Sequence, residues 1–128
     1  MIEEEAETPT RAFTVVLAED EALIAEYIVQ ELERNGLNVL ACARTADEAV
    51  EAVIRHAPRL VVLDVELARG SSGIDAAERL AARDGRRCLF LSGMLDAATR
   101  ERLLRLDPIA VLSKPFLVSQ LIEVLPSI

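Results

Sequence analysis

The chain lacks most of what a stapled, metal-clustered or membrane-bound fold would need. Of its 128 residues two are cysteine, one is histidine and none is tryptophan, and aromatics make up 3%. Cys42 and Cys88 form no CxxC or CxxH spacing, so neither suggests zinc. Each sits in an apolar run and reads as a small buried hydrophobe. Long apolar runs are missing too. The longest uncharged stretch, Asn35 to Ala43, has nine residues, whereas a membrane span needs about 18. The opening Met1-Ile2-Glu3-Glu4-Glu5 holds no apolar leader. Positive charge is short: 14 basic residues face 22 acidic ones, for a net −8. Nucleic acid is therefore an unfavourable partner, because displacing its counterions takes a cationic surface. An anionic membrane surface is unfavourable for the same reason. The expectation is a cytoplasmic protein.

What is present is aliphatic. Hydrophobic residues reach 52%, and with so few aromatics the core must be Val, Leu, Ile and Ala. The length suits one domain of ordinary size, large enough to fold without disulfides. Residues 1–11 read as an acidic flexible tail, with four Glu and −3 of the net charge. Residues 12–128 read as a single domain. The chain stops shortly after its last helical pattern, so no effector domain is expected.

From Ala12 onward short apolar runs alternate with helical patterns. The runs are Phe13–Ala18, Leu37–Ala43, Leu60–Leu63, Cys88–Leu91 and Ile109–Leu112. None alternates apolar with polar, so each predicts a strand covered on both faces. The first helix is predicted over Glu21–Asn35, with Leu23, Ile24, Tyr27, Ile28 and Leu32 on its apolar stripe and Gly36 just past its end. Thr45-Ala46-Asp47-Glu48 is a capping box opening a second helix, which Pro58 closes. Ser72 opens a third, with Ile74, Ala77, Leu80 and Ala81 inward, and Gly85 stops it. Asp96 caps a fourth running to about Leu106. Leu117–Leu125 is a fifth. Repeated β–α units with short crossovers give an α/β fold, a doubly wound parallel sheet. Five strands suit the flavodoxin-like (βα)5 order 2-1-3-4-5. Cys42 and Cys88 would then lie three strand spacings apart, about 14 Å, too far for a disulfide.

The chemistry falls at the strand ends. Glu19 and Asp20 follow the first strand, Asp64 the third, Ser92 the fourth and Lys114 the fifth. In this order all five share the carboxyl edge of the sheet, where such folds bind ligands. Two carboxylates ~4 Å apart repel by roughly 4 kcal/mol at an effective dielectric near 20. A divalent cation and Lys114 would relieve that, and an all-oxygen site suits Mg²⁺, or Mn²⁺. Carboxylate, hard cation, lysine and hydroxyl together match what phosphoryl transfer requires. Glu19 and Asp20 also suit the positive end of the helix that follows them. His56 ends the second helix and reads as a surface residue there. Asp75 reads as first-turn capping.

These segments together resemble the receiver domain of two-component response regulators. The motifs are Val-Val-Leu-Ala-Glu19-Asp20, Leu-Val-Val-Leu-Asp64-Val-Glu66, Gly73-Ile-Asp75, Leu-Phe-Leu-Ser92-Gly and Val-Leu-Ser-Lys114-Pro115-Phe116. The resemblance covers about residues 12–126. It implies that Asp64 accepts a phosphoryl group from a histidine kinase or a histidine phosphotransfer protein. It implies that Asp20 and Asp64 ligate Mg²⁺ directly, with the Glu66 backbone carbonyl, and that Glu19 acts through a bound water. Ser92 would bind a phosphoryl oxygen and Lys114 would pair with the group. Pro115 matches a proline often preceded by a cis bond. The chain would then catalyse its own phosphoryl transfer and loss without turning over a separate substrate. Output would pass to an unidentified downstream protein.

Three features set the sequence apart within that resemblance. Many receivers carry Tyr or Phe three residues before the lysine; here the position is Val111. The stretch Phe90-Leu91-Ser92-Gly93-Met94-Leu95 partly resembles stand-alone receivers with a Phe-Ala-Thr-Gly-hydrophobic-Tyr motif, but lacks the final Tyr. Glu66 and Met94 occupy positions that flank the phosphoryl group. A haloacid-dehalogenase-like phosphatase would use a similar residue set. That class has Asp where Glu66 stands, and its acidic pair comes late in the chain. A receiver-like module that is never phosphorylated is the other alternative. On the predicted fourth helix, Arg100, Arg102 and Arg105 are expected either to be solvated or to form a partner face.

Overall fold

The computed structural model describes residues 13–125, so the acidic stretch 1–11 lies outside the described residues. Strands and helices alternate as β1 Thr14–Ala18, α1 Ala22–Arg34, β2 Asn38–Ala43, α2 Ala46–His56, β3 Leu60–Asp64, α3 Gly73–Asp84, β4 Leu89–Ser92, α4 Ala97–Leu104, β5 Ala110–Ser113 and α5 Val118–Glu123. A 3₁₀ turn, Ala68–Gly70, lies between β3 and α3. Every ladder is parallel, in the order β2-β1-β3-β4-β5. The flavodoxin-like α/β fold expected from the sequence is the fold observed.

Helix ends follow local chemistry. At the end of α1, Leu37 N–H donates to Leu32 O at 3.1 Å and Gly36 N–H to Glu33 O at 3.0 Å, with Gly36 at φ 90. That is the Schellman pattern, and only glycine adopts such a φ cheaply. Thr45 caps α2 by accepting from Glu48 N–H at 3.1 Å, while the Glu48 carboxylate takes Arg44 N–H at 2.8 Å. The capping box is thus displaced by one residue on its return arm. Ser72 and Asp96 cap α3 and α4, accepting from Ile74 N–H at 3.0 Å and Thr99 N–H at 2.7 Å.

Successive residues of the central strands enter opposite cores. Val16, Ala18, Val61, Leu63 and Phe90 pack beneath α2, α3 and α4. Val15, Leu17, Leu60, Val62, Leu89 and Leu91 pack beneath α1 and α5. Both cores are aliphatic apart from Phe90 and Cys88 among their buried members.

The outer strands differ from expectation. β2 and β5 are only partly covered, and Val111 and Ser113 on β5 are exposed. They are the edges of the sheet, with one neighbour each, so helices shield them less. Cys42 is exposed for the same reason, which corrects its reading as buried; Cys88 is buried as expected. On α1 the core is met by Ala25, Ile28 and Leu32, at i, i+3 and i+7. Leu23 and Tyr27 occupy an adjacent row and point outward, Leu23 with 81% exposure. On α3 it is Ala76 that is buried, and Ala81 is half-buried. Of the α4 leucines only Leu103 is buried.

Two glycines show different constraints. A Cβ on Gly73 would lie 2.2 Å from the Asp64 backbone oxygen, closer than any real contact. Gly73 N–H also donates to Val65 O at 2.8 Å. The first turn of α3 therefore rests directly on the end of β3. Gly85 is at φ 75 with open space around it. Gly73→Ala is expected to lower stability by about 2 kcal/mol through overpacking, against about 1 kcal/mol for Gly85→Ala through backbone strain alone. Urea midpoints of the two variants check the order, and equal losses would count against the close approach.

Candidate functional site

Parallel pairing brings the strand ends to one level. Asp64 is in register with Leu91, and Ser92, next along β4, pairs with Ser113. Lys114 N–H donates to Ser92 O at 2.7 Å, which seats the lysine beside β4. On the other side of β3, Glu19 N–H donates to Ala43 O at 2.9 Å and continues the β1 ladder past its last residue. Glu19, Asp20, Asp64, Ser92 and Lys114 thus gather at the carboxyl edge, as the sequence suggested. Glu19, Asp64 and Ser92 are buried and Asp20 is half-buried.

Asp64 has a donor on each oxygen. Oδ1 accepts from Glu66 N–H at 3.0 Å, and Oδ2 accepts from Lys114 Nζ. The Glu66 side chain is exposed, so its backbone is what faces the site. Glu19 is less well served. Its Oε2 accepts from Glu21 N–H at 3.2 Å, while buried Oε1 has no hydrogen-bond partner. Lys114 Nζ stands 3.9 Å from that oxygen.

Carboxylate oxygens of Glu19, Asp20 and Asp64 all lie within 4.8 Å of one another. At that range each pair repels by about 3–4 kcal/mol at an effective dielectric near 20. One lysine cannot neutralise three charges. Burial, and then the neighbouring Asp64 carboxylate, raise the Glu19 pKa to about 7, against the opposing pull of Glu21 N–H and Lys114. Burial alone would lower the Lys114 ammonium. Its bond to Asp64 and the charges of Asp64, Glu19 and Glu21 outweigh that and hold its pKa above the ordinary value. A proton on Glu19 is one answer to the excess charge, and a cation is the other. The donors are all oxygen, and an orphaned carboxylate oxygen faces Lys114 across the cluster, so the residues fit a hard divalent ion.

The surrounding loops hold this arrangement. Ser71 Oγ donates to Ala68 O at 2.7 Å and accepts from Ala46 N–H at 3.1 Å, joining the β3–α3 and β2–α2 connections. Ala68 N–H adds a bond to Arg44 O at 3.0 Å. Neither Ser71 nor the close approach of Gly73 was among the expected functional residues. Ser71 looks like any loop serine beside Ser72, and Gly73 looks like a helix-opening glycine. The Lys114–Pro115 bond is cis, as the resemblance implied. Met94 is 99% exposed beside the site, and His56 lies exposed at the opposite edge of the sheet. Asp75 sits in the first turn of α3 and pairs with Arg102.

The Glu19 environment sets a pH dependence. Its folded pKa is near 7 against 4.5 for the free side chain, so the folded state binds the proton more tightly. Its contribution to stability is complete below about 4.5 and is lost as pH rises through about 7. In EDTA, wild type is expected to lose stability relative to Glu19→Gln between pH 5 and pH 8. Parallel denaturation profiles for the two proteins across that window would contradict the assignment.

Comparison with known proteins places this geometry. The family model described as the response regulator receiver domain matches residues 15–126. The transcriptional regulatory protein PdtaR of Mycobacterium tuberculosis is 36% identical over 108 residues, covering 84% of this chain and 52% of PdtaR. The phyllosphere-induced regulator PhyR of Methylorubrum extorquens is 37% identical over 109 residues, covering 82% of this chain and 39% of PhyR. The chain thus spans about half the length of PdtaR, or less for PhyR. Among solved structures, the receiver domain of a modulated diguanylate cyclase from Desulfovibrio desulfuricans G20 superposes with TM-score 0.81 at 28% identity, covering 89% of this chain and 90% of that one. The non-phosphorylated HemR receiver domain of Leptospira biflexa gives 0.77 at 29% identity, covering 89% and 91%. With its sheet order and acidic strand-end cluster, the chain belongs to the response regulator receiver domain family, a family of signalling modules.

Proposed function

We propose that Asp64 is a phosphoacceptor, receiving a phosphoryl group from the phosphohistidine of a histidine kinase or a histidine phosphotransfer protein. The chain then signals through contacts with a downstream protein. One observation carries this reading. Asp64 is a buried carboxylate held by Glu66 N–H and Lys114, with Glu19 and Asp20 gathered around it.

In the transfer an Asp64 oxygen attacks phosphorus, the P–N bond to the donor imidazole breaks, and its electron pair leaves with the imidazole. Lys114, now on Asp64 Oδ2, would move its charge to the phosphoryl oxygens. The Ser92 hydroxyl would donate to another of them. Asp20, Asp64 and the Glu66 carbonyl would ligate Mg²⁺ or Mn²⁺, with Glu19 holding a metal-bound water. The cation supplies neutralisation of the phosphoryl oxygens as negative charge develops. Hydrolysis of the same acyl phosphate returns Asp64, so the chain ends its own signal without a separate substrate.

Intact mass after incubation with acetyl phosphate and Mg²⁺ tests the reading. Wild type is expected to gain one phosphoryl group, and neither Asp64→Asn nor the metal-free protein should do so. Labelled Asp64→Asn would refute the acceptor assignment. Asp20→Asn removes a charged ligand and is expected to weaken Mg²⁺ binding about tenfold or more by calorimetric titration. Unchanged affinity would remove Asp20 from the ligand set.

A further inference from the structure

Helix α4 is weakly embedded. Leu103 is its only buried residue among those described, and Leu104 is 55% exposed. Toward β5 it leaves a groove of about 390 Å³ lined by Ser92, Met94, Arg100, Leu103, Val111 and Lys114. Val111 is too small to fill that space. Buried apolar area therefore does little to fix where α4 sits.

Toward α3, Leu103 joins the core that holds Ala77 and Leu80, and among the described residues one side chain supplies the polar hold. Arg102 Nη2 donates to Asp75 Oδ1 at 3.0 Å and to Glu78 Oε1 at 2.8 Å, and Arg102 Nε donates to Glu78 Oε2 at 3.2 Å. The two acids are three residues apart on α3 and share one face. An isolated exposed ion pair does little. A planar guanidinium engaging two carboxylates, one of them bidentately, specifies both distance and orientation.

The anchor point matters. Asp75 is in the first turn of α3, whose Gly73 rests on the Asp64 carbonyl and donates to Val65 O. Arg102 thus references α4 to the strand end that carries Asp64. From the other direction, only Gly93, Met94 and Leu95 separate Ser92 from Asp96, the cap of α4.

We propose that Arg102 is a positioning residue: its fork on Asp75 and Glu78 sets the resting place of α4 and thereby the Gly93–Asp96 segment beside Ser92 and Asp64. Releasing the fork lets α4 move toward the β5 groove and draws that segment with it. The three side chains are between 41 and 51% exposed, so salt weakens the fork. The role in phosphoryl transfer rests on the function proposed for Asp64; the hold on α4 does not.

Hydrogen exchange of peptides spanning residues 93–106, in EDTA and without phosphodonor, reads the hold directly. Arg102→Met is expected to exchange about three- to tenfold faster there than wild type, with α1 unchanged. The swap Arg102→Glu with Glu78→Arg should restore protection, and 0.5 M salt should move wild type toward the variant. Unchanged exchange in Arg102→Met, or no recovery in the swap, overturns the hold. A second measurement follows phosphoryl uptake from acetyl phosphate with Mg²⁺, and the half-life of the product. At least a threefold change in either for Arg102→Met, reversed in the swap, supports positioning. Faster exchange with both rates unchanged overturns it. No uptake by wild type refutes the Asp64 reading and the positioning role together, while the exchange result still stands on its own for α4.

Discussion

Asp64 and Glu19 are taken out of water within a few ångströms of each other and of Asp20, and the rest of the structure is arranged around that cost. Two such charges in a part-desolvated site repel by several kcal/mol, a large share of the stability of an ordinary domain. The chain offsets this with groups from separate places: Lys114 after β5, Glu66 N–H after β3, Glu21 N–H at the start of α1. Each works only if its loop is fixed. That is why Ser71 ties two loops together and why nothing larger than glycine fits at position 73. Even so, one Glu19 oxygen is left without a partner. The site remains short of positive charge, which a proton, or a cation brought from solution, would supply.

Much of this was legible in the sequence. Apolar runs of four to seven residues between helical patterns leave few choices beyond a parallel sheet, and parallel strands put every chemically active residue on one edge. Glu19, Asp20, Asp64, Ser92 and Lys114 each stand just at or after such a run, so the topology alone gathers them. The misreadings have a common origin. Burial of Cys42, Val111, Leu23 and Tyr27 depends on which strand is an edge and how far a helix reaches over it. A residue's own neighbours in sequence carry no record of that. Gly73 is similar, since its constraint is a carbonyl nine positions back in the chain. Arg102 was visible as a basic residue on α4, but its two acids lie over 20 residues away on α3.

The first three helices and α4 differ mechanically. α1, α2 and α3 each bury three or more residues against the sheet, and moving any of them would open a cavity in an aliphatic core. α4 buries one. A helix held by apolar packing resists displacement over its whole face, because every contact is lost together. A helix held by a polar fork has its resistance concentrated at one point and dependent on charge. Displacing it costs little apolar burial, and the groove beside β5 gives it somewhere to go.

That difference places the least constrained element next to the most charged one. Ser92 is buried at the end of β4, and five residues later α4 begins. Adding a dianion at Asp64 would draw Lys114 and Ser92 toward it, and the strands and the three well-packed helices cannot follow without breaking close packing. The Gly93–Asp96 segment can follow, since Gly93, Met94 and Asp96 are exposed. Val111 and Ser113 are the β5 residues that line the groove beside α4, and under the positioning role proposed for Arg102 its fork on α3 would resist this movement. Control of the proposed response would then lie with the charges on that seam together with the packing of Leu103 in the core.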